Sequence, residues 1–219
     1  MNILKAIVTS ALVLAPSFAL AEEAEPKVEL NLLTVEGFVK GNRHVFDADF
    51  AAEHSIAVPV PFEFIAPTSD AHLNYIQPAP GGTGIFKVFF TTLEKQVRSN
   101  LQFVPITIEQ GSVDERLKAL ESILHQAFRA SVPDIDNARI NAVRNTEIGK
   151  YPAVEMFGNY DSPTDGTVII RIVAIPDPAS GNGILAIINA LPKNFPMTKV
   201  EDILGTLSSR GLGTFRFRE

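Results

Sequence analysis

Four β-rich runs follow one another in the second half of the chain, ARINAVRNTEI, YPAVEMFGNY, TVIIRIVAI and GILAIINAL, and only GK, DSPTDG and PDPASGN separate them. Separators this short, and this rich in Gly, Pro, Asp and Ser, cannot carry a crossover to a parallel neighbour; they close hairpins. The pattern predicts an antiparallel meander. The third and fourth runs are apolar at odd and even positions alike, as strands are when both faces are covered. Helices are then needed on both faces, which makes the fold α+β: an antiparallel sheet with helices packed on it, an α/β/α sandwich.

The elements before and after the meander fit that layout. HLNYIQPAPGGTGIFKVFFTTLE reads as a hairpin around PAPGGTG, and LQFVPITIE as a further strand. SIAVPVPFEFIAP alternates but carries Pro59, Pro61 and Pro67, which places it at a sheet edge or as a broken strand. Ser112 with Glu115 is a capping box, and Val113, Leu117, Leu120, Leu124, Ala127 and Phe128 recur at helical spacing up to Pro133. Asp114, Lys118, Glu121, His125 and Arg129 fall on the opposite, solvated face. A second capping box, Thr198 with Glu201, opens a closing helix, and GTFRFRE reads as a last strand.

The N-terminus bears on location. MNILKAIVTSALVLAPSFALA has one early cation, Lys5, an apolar stretch too short to span a bilayer, Pro16, and Ala19-Leu20-Ala21 ahead of an acidic run. This predicts a secretory signal peptide over residues 1–21 and a periplasmic or secreted protein without stable membrane insertion after cleavage. Residues 22–54 read as an acidic leader and N-terminal extension, with a strand that meets a turn near Gly41, and 55–219 as a single α/β sandwich domain. No cysteine is present, so an exported chain of this kind must hold together by its core alone. Its 19 basic and 25 acidic residues give a net charge of −6, which argues against nucleic acid as a partner.

Candidate sites follow from the few polar residues in apolar surroundings. A regular hairpin whose loop runs from Pro176 to Gly183, with Ile175 opposite Leu185, sets Arg171 opposite Asn189. The same geometry with Tyr160 opposite Gly166 sets Arg171 against Glu155, and Glu155 against Arg144 across the GK turn. Arg144, Glu155, Arg171 and Asn189 then form one polar row, either an internally paired structural cluster or the wall of a recess for an anionic or amide-bearing ligand. RHVFDADFAAEH brings His44, Asp47, Asp49 and His54 close in sequence, but at no compact metal-binding spacing, so the expectation is a solvated acidic loop and no metal. Arg216 and Arg218 alternate with Phe215 and Phe217; at a sheet edge they could meet an acidic partner. No G-x-S-x-G elbow, catalytic cysteine or phosphate loop occurs, and no cofactor is expected.

In the order of its elements the chain resembles the PsbP-like sandwich family, which is named for an extrinsic photosystem II subunit and includes a nuclear-transport factor that binds the Ran GTPase. The resemblance covers about residues 55–219: SIAVPVPFEF, the helix from Ser112, GKYPAVEMFGNY, the hairpin through IRIVAI and ILAIINALP, and VEDILGTLSSRGLGTFRF. It implies a non-enzymatic protein that binds other proteins or assists an assembly. Together these readings predict an exported, non-catalytic module for a protein partner or envelope component. The rivals are a small-ligand or metal-binding protein and a hydrolase whose site lacks a motif.

Overall fold

The computed structural model describes residues 41–54, 57–67, 73–78, 86–91, 96–108 and 111–218. The signal-peptide reading of 1–21, the leader up to residue 40 and the PAPGGTG turn lie outside them. Among the described residues the backbone forms two sheets. The larger has seven strands, β3 (Leu73–Pro78), β4 (Phe86–Thr91), β5 (Val97–Thr107), β6 (Ala138–Ile148), β7 (Tyr151–Ser162), β8 (Gly166–Pro176) and β9 (Asn182–Ala190), in the spatial order β3-β4-β5-β9-β8-β7-β6. All its pairings are antiparallel. The predicted meander is β6 to β9, and it returns to pair β9 with β5, so β3 and β6 are left as the edges.

One face of this sheet is covered by α2 (Val113–Ser131). Its capping box forms as the sequence predicts: Ser112 Oγ accepts from the Glu115 amide, and the Glu115 carboxylate accepts from the Ser112 amide. Leu120, Ile123, Leu124 and Phe128 are buried against Val154, Met156, Ile170, Ile172 and Ile187. Each contributes roughly 1.5–3 kcal/mol of hydrophobic stabilisation, far more than a helix of this length supplies by itself. Gly158 makes the closest approach possible, because a Cβ there would lie 2.6 Å from the Phe128 ring and from the Arg139 carbonyl oxygen. Val113, assigned to the apolar stripe by its spacing, is instead 57% exposed, since the first turn overhangs the end of the sheet.

The other face is covered mainly by a second sheet rather than by helices. Its strands are β1 (Gly41–Phe46), β2 (Phe62–Pro67) and β10 (Arg216–Phe217), in the order β1-β2-β10. A 3-10 segment, Val200–Gly205, and α3 (Leu207–Leu212) complete the layer. Phe46, Phe62, Phe64, Phe103 and Phe215 fill the space between the sheets, with ring centroids 4.6 Å apart for Phe46–Phe62 and 4.9 Å for Phe64–Phe103. The fold is thus an α+β sandwich, and β8, buried on both sides, shows why its run is apolar at both parities except at Arg171.

Four local expectations are corrected. SIAVPVPFEFIAP supplies the middle strand of the small sheet, not an edge, because Pro59 and Pro61 precede β2 and Pro67 ends it. Gly41 begins a strand rather than a turn; its missing side chain lets the Ala66 carbonyl approach, and β1 with α1 (Ala48–His54) packs beside β2. The last strand is two residues long and pairs with β2, while the closing helix is split at Thr206. The predicted Thr198–Glu201 box fails because Asp202 takes the Thr198 amide and hydroxyl, which favours a tight 3-10 turn.

Candidate binding sites

The Arg171 row is built from β6, β7 and β8. The two-residue turn at Gly149-Lys150 sets Arg144 opposite Glu155, as predicted. The next turn is longer: Ser162, not Tyr160, faces Gly166, whose φ of 73° suits glycine, and Ser162 Oγ accepts from the Asp165 amide. Arg171 therefore lies opposite Phe157 and reaches Glu155 diagonally, through Nε at 2.9 Å and a terminal nitrogen at 2.7 Å. Arg144 Nε binds the other Glu155 oxygen at 2.7 Å. Both guanidiniums sit over the Phe157 ring, at 5.0 Å for Arg144 and 5.9 Å for Arg171.

Asn189 does not belong to this row. Arg171 faces Ile188, because Pro176 pairs with Gly183, and that one-residue offset turns Asn189 to the α2 side. The Asp177 side chain tightens the loop by accepting from the Ala179 amide and the Ser180 hydroxyl. Asn189 instead lies near Asn100 and the Tyr160 hydroxyl, each at 3.4 Å. Burial, with Asp165 nearby, pushes the Tyr160 hydroxyl up to about 12. Burial also pulls the Arg171 guanidinium down from its usual value, and Glu155 pulls it back. The side chains of Glu155 and Arg171 are 1% and 7% exposed, on the face of β7 and β8 against which Val200–Gly205 packs, so the cluster is open to a ligand only at Arg144, which is 52% exposed.

The other predicted residues disperse. His44 packs inward against Phe64 with tilted rings, centroids 5.5 Å apart, and burial lowers its pKa to about 4. Asp47 accepts from the Asp49 and Phe50 amides at the start of α1 and pairs with Arg218 at 2.7 Å. Asp49 is exposed, and the His54 side chain lies outside the described residues. The segment read as a solvated loop is a strand and a helix. Among the described residues no three His, Asp or Glu side chains are placed to share a metal ion. Arg218 also reaches Glu63 at 3.6 Å, and Glu63 pairs with Arg43, so Arg218 is engaged within the small sheet while Arg216 is exposed.

Three surface features were not legible in the sequence. The first is the outer edge of β6, an eleven-residue strand that pairs only with β7 among the described residues. Most of its side chains are exposed, including Arg139, Ile140, Arg144, Asn145 and Glu147. A bulge falls between Ile140 and Ala142. The second is a cleft of about 210 Å³ at one end of the sheet, where Val113, Tyr151, Pro152, Pro176 and Pro178 meet Arg116 and Lys150. Arg116 is used there structurally, donating to the Asp177 and Ser180 carbonyls. The third is a cleft of about 290 Å³ lined by Phe90, Arg98, Ser99, Phe195, Thr206, Leu207 and Arg210. Among the described residues neither cleft is lined by a carboxylate or a histidine. Among the described residues no helix is long and apolar enough to cross a membrane.

No family model and no curated protein matches the chain. Among solved structures it is similar to cyanobacterial PsbP (CyanoP) from Synechocystis sp. PCC 6803, at 11% identity over 86% of this chain and 99% of that one, with a TM-score of 0.48. It is also similar to LpqN, involved in cell envelope biogenesis of Mycobacterium tuberculosis, at 12% identity, 82% and 86% coverage and a TM-score of 0.35. A third is the Saccharomyces cerevisiae Ran-binding protein Mog1p, at 9% identity, 81% and 96% coverage and a TM-score of 0.39.

Proposed function

We propose that the protein is an exported, non-catalytic binding module of the cell envelope, periplasmic or secreted, which takes a protein partner as an added strand along the outer edge of β6. The observation that carries this reading is the edge itself. A strand with one unpaired side presents a row of amide and carbonyl groups that another chain can complete. The bulge blunts the stretch around Ile140, and leaves Ala142–Ile148 in regular register. Ile148 and Tyr151 close the two-residue hairpin, so alternation turns the amides of Val143, Asn145 and Glu147 outward. Arg139 and the exposed part of Arg144 favour a partner strand with acidic side chains.

The lining of the clefts supports a non-catalytic role, because general acid–base work needs a positioned carboxylate, histidine or equivalent at the cavity. The closed Arg171 cluster supports the structural reading of that arginine over the ligand recess. The test is an Asn145→Pro variant, which removes an outward donor and leaves the β7 ladder intact. Tagged protein isolated from its own compartment is compared by native mass spectrometry. The expected result is a defined second polypeptide with the unaltered protein, lost with Asn145→Pro and kept with Arg129→Gln on the far face of α2. A polypeptide retained equally by both variants would overturn the edge as the interface.

A further inference from the structure

We infer that the cleft between β5 and α3 is a site for a phosphoryl group, taken from a small phosphate ester or a lipid headgroup. Arg98 reaches it by a device of the backbone. In the β4–β5 ladder Phe90 faces Ser99 and Thr91 faces Val97, so Arg98 is the extra residue of a β-bulge. A bulge re-aims the side chain it carries, and here that side chain lines the cleft instead of following the strand's alternation. The position is fixed on both sides: the Arg98 carbonyl accepts from the Leu191 amide at 3.0 Å, and the Val97 carbonyl from Asn194 Nδ2 at 2.6 Å.

Arg210 enters the same cleft from α3. Arg43, Arg144, Arg171 and Arg218 each pair with a carboxylate, whereas Arg98 and Arg210 have none among the described residues. Arg98 Nε is buried and lacks any hydrogen-bond partner there. Two arginines line a space that is walled also by Phe90, Phe195 and Leu207, apolar groups that lower the local dielectric and strengthen the pull of a cation on an anion. Ser99 Oγ accepts from Ser208 Oγ at 2.7 Å, which leaves the Ser99 hydroxyl hydrogen to donate.

This donor set selects among anions. A planar carboxylate is satisfied by one guanidinium fork, while a tetrahedral phosphoryl group offers three oxygens to donors from separate directions. The volume of about 290 Å³ sits at the small end of ligand pockets, enough for a phosphoryl group with a short substituent. Among the described residues no carboxylate or histidine lines the cleft to activate the Ser99 or Thr206 hydroxyl, so the site holds its ligand without transforming it.

The test is the melting temperature of the purified protein in inorganic phosphate against acetate at matched ionic strength, together with cosedimentation with vesicles of phosphatidic acid in phosphatidylcholine. Phosphate should raise the melting temperature in a saturable way. Arg98→Gln and Arg210→Gln should each weaken binding by about tenfold, as loss of a charge-assisted contact does, and Arg129→Gln should not. Arg210 is exposed, so its variant keeps the test decisive if Arg98→Gln does not fold. Phosphate stabilisation alone identifies a soluble ester as the source. Arg98-dependent and Arg210-dependent vesicle binding identifies a headgroup. The proposal is overturned if neither arm responds, if acetate acts as well as phosphate, or if both arginine variants bind like the unaltered protein.

Discussion

Glu155 is held by two cations of very different standing, one buried with it and one half in solvent. Removing the carboxylate leaves the Arg171 guanidinium buried and uncompensated, so Glu155→Gln should lower stability by about 3–5 kcal/mol. The paired replacement Arg171→Leu with Glu155→Leu should recover much of that loss, and urea unfolding of the variants measures both. Equal losses in the single and paired variants would contradict an internally paired cluster. His44 gives a pH signature. Burial lowers its pKa from 6.5 to about 4, so between those values the unfolded chain binds a proton that the folded chain does not. Its contribution is complete above pH 6.5 and is lost as pH falls towards 4, by about 3 kcal/mol. His44→Phe should flatten that slope by one proton in urea titrations across the window; an unchanged slope would assign it to other groups. The Arg144–Glu155 pairing was legible because a two-residue turn fixes register. Asn189 was not, because one residue at the Pro176–Gly183 closure decides its face and nothing in PDPASGN announces which residue closes the ladder.

At the scale of elements, α2 was legible almost to its ends, since capping chemistry and apolar spacing are local. Its docking depends on something the sequence does not display, the absence of a side chain at Gly158 beneath Phe128. Gly158→Ala should push the ring or the β6 backbone aside at a cost of about 1–3 kcal/mol, the usual range for overpacking, and thermal melts should show it. A neutral result would mean that α2 sits less tightly than the ring contact implies. The basic cleft escaped sequence reading for a different reason. Arg98 and Arg210 come from distant segments, and only the bulge in β5, a property of paired strands, brings the first towards the second. The closing strand was over-read because GTFRFRE alternates well; its length is set by the two positions where β2 accepts it, and by the Tyr151 hydroxyl that accepts from the Phe217 amide.

For the whole molecule, the second sheet decides what kind of surface is left. Apolar runs at both parities correctly predicted a sheet covered on two faces, but coverage by strands or by helices leaves the same pattern in the covered strands. Among the described residues one face lies under α2, packed on β7 and β8, and the other under β1, β2, β10 and α3, which leaves the outer edge of β6 as a place where a partner strand can extend the large sheet. In the proposed function β6 is the edge that a partner completes. Residue-resolved amide hydrogen exchange, with and without the captured partner, tests it most directly. Slowed exchange confined to Val143, Asn145 and Glu147 and their neighbours is the predicted result. Unchanged exchange along β6, with protection gained elsewhere, would contradict it.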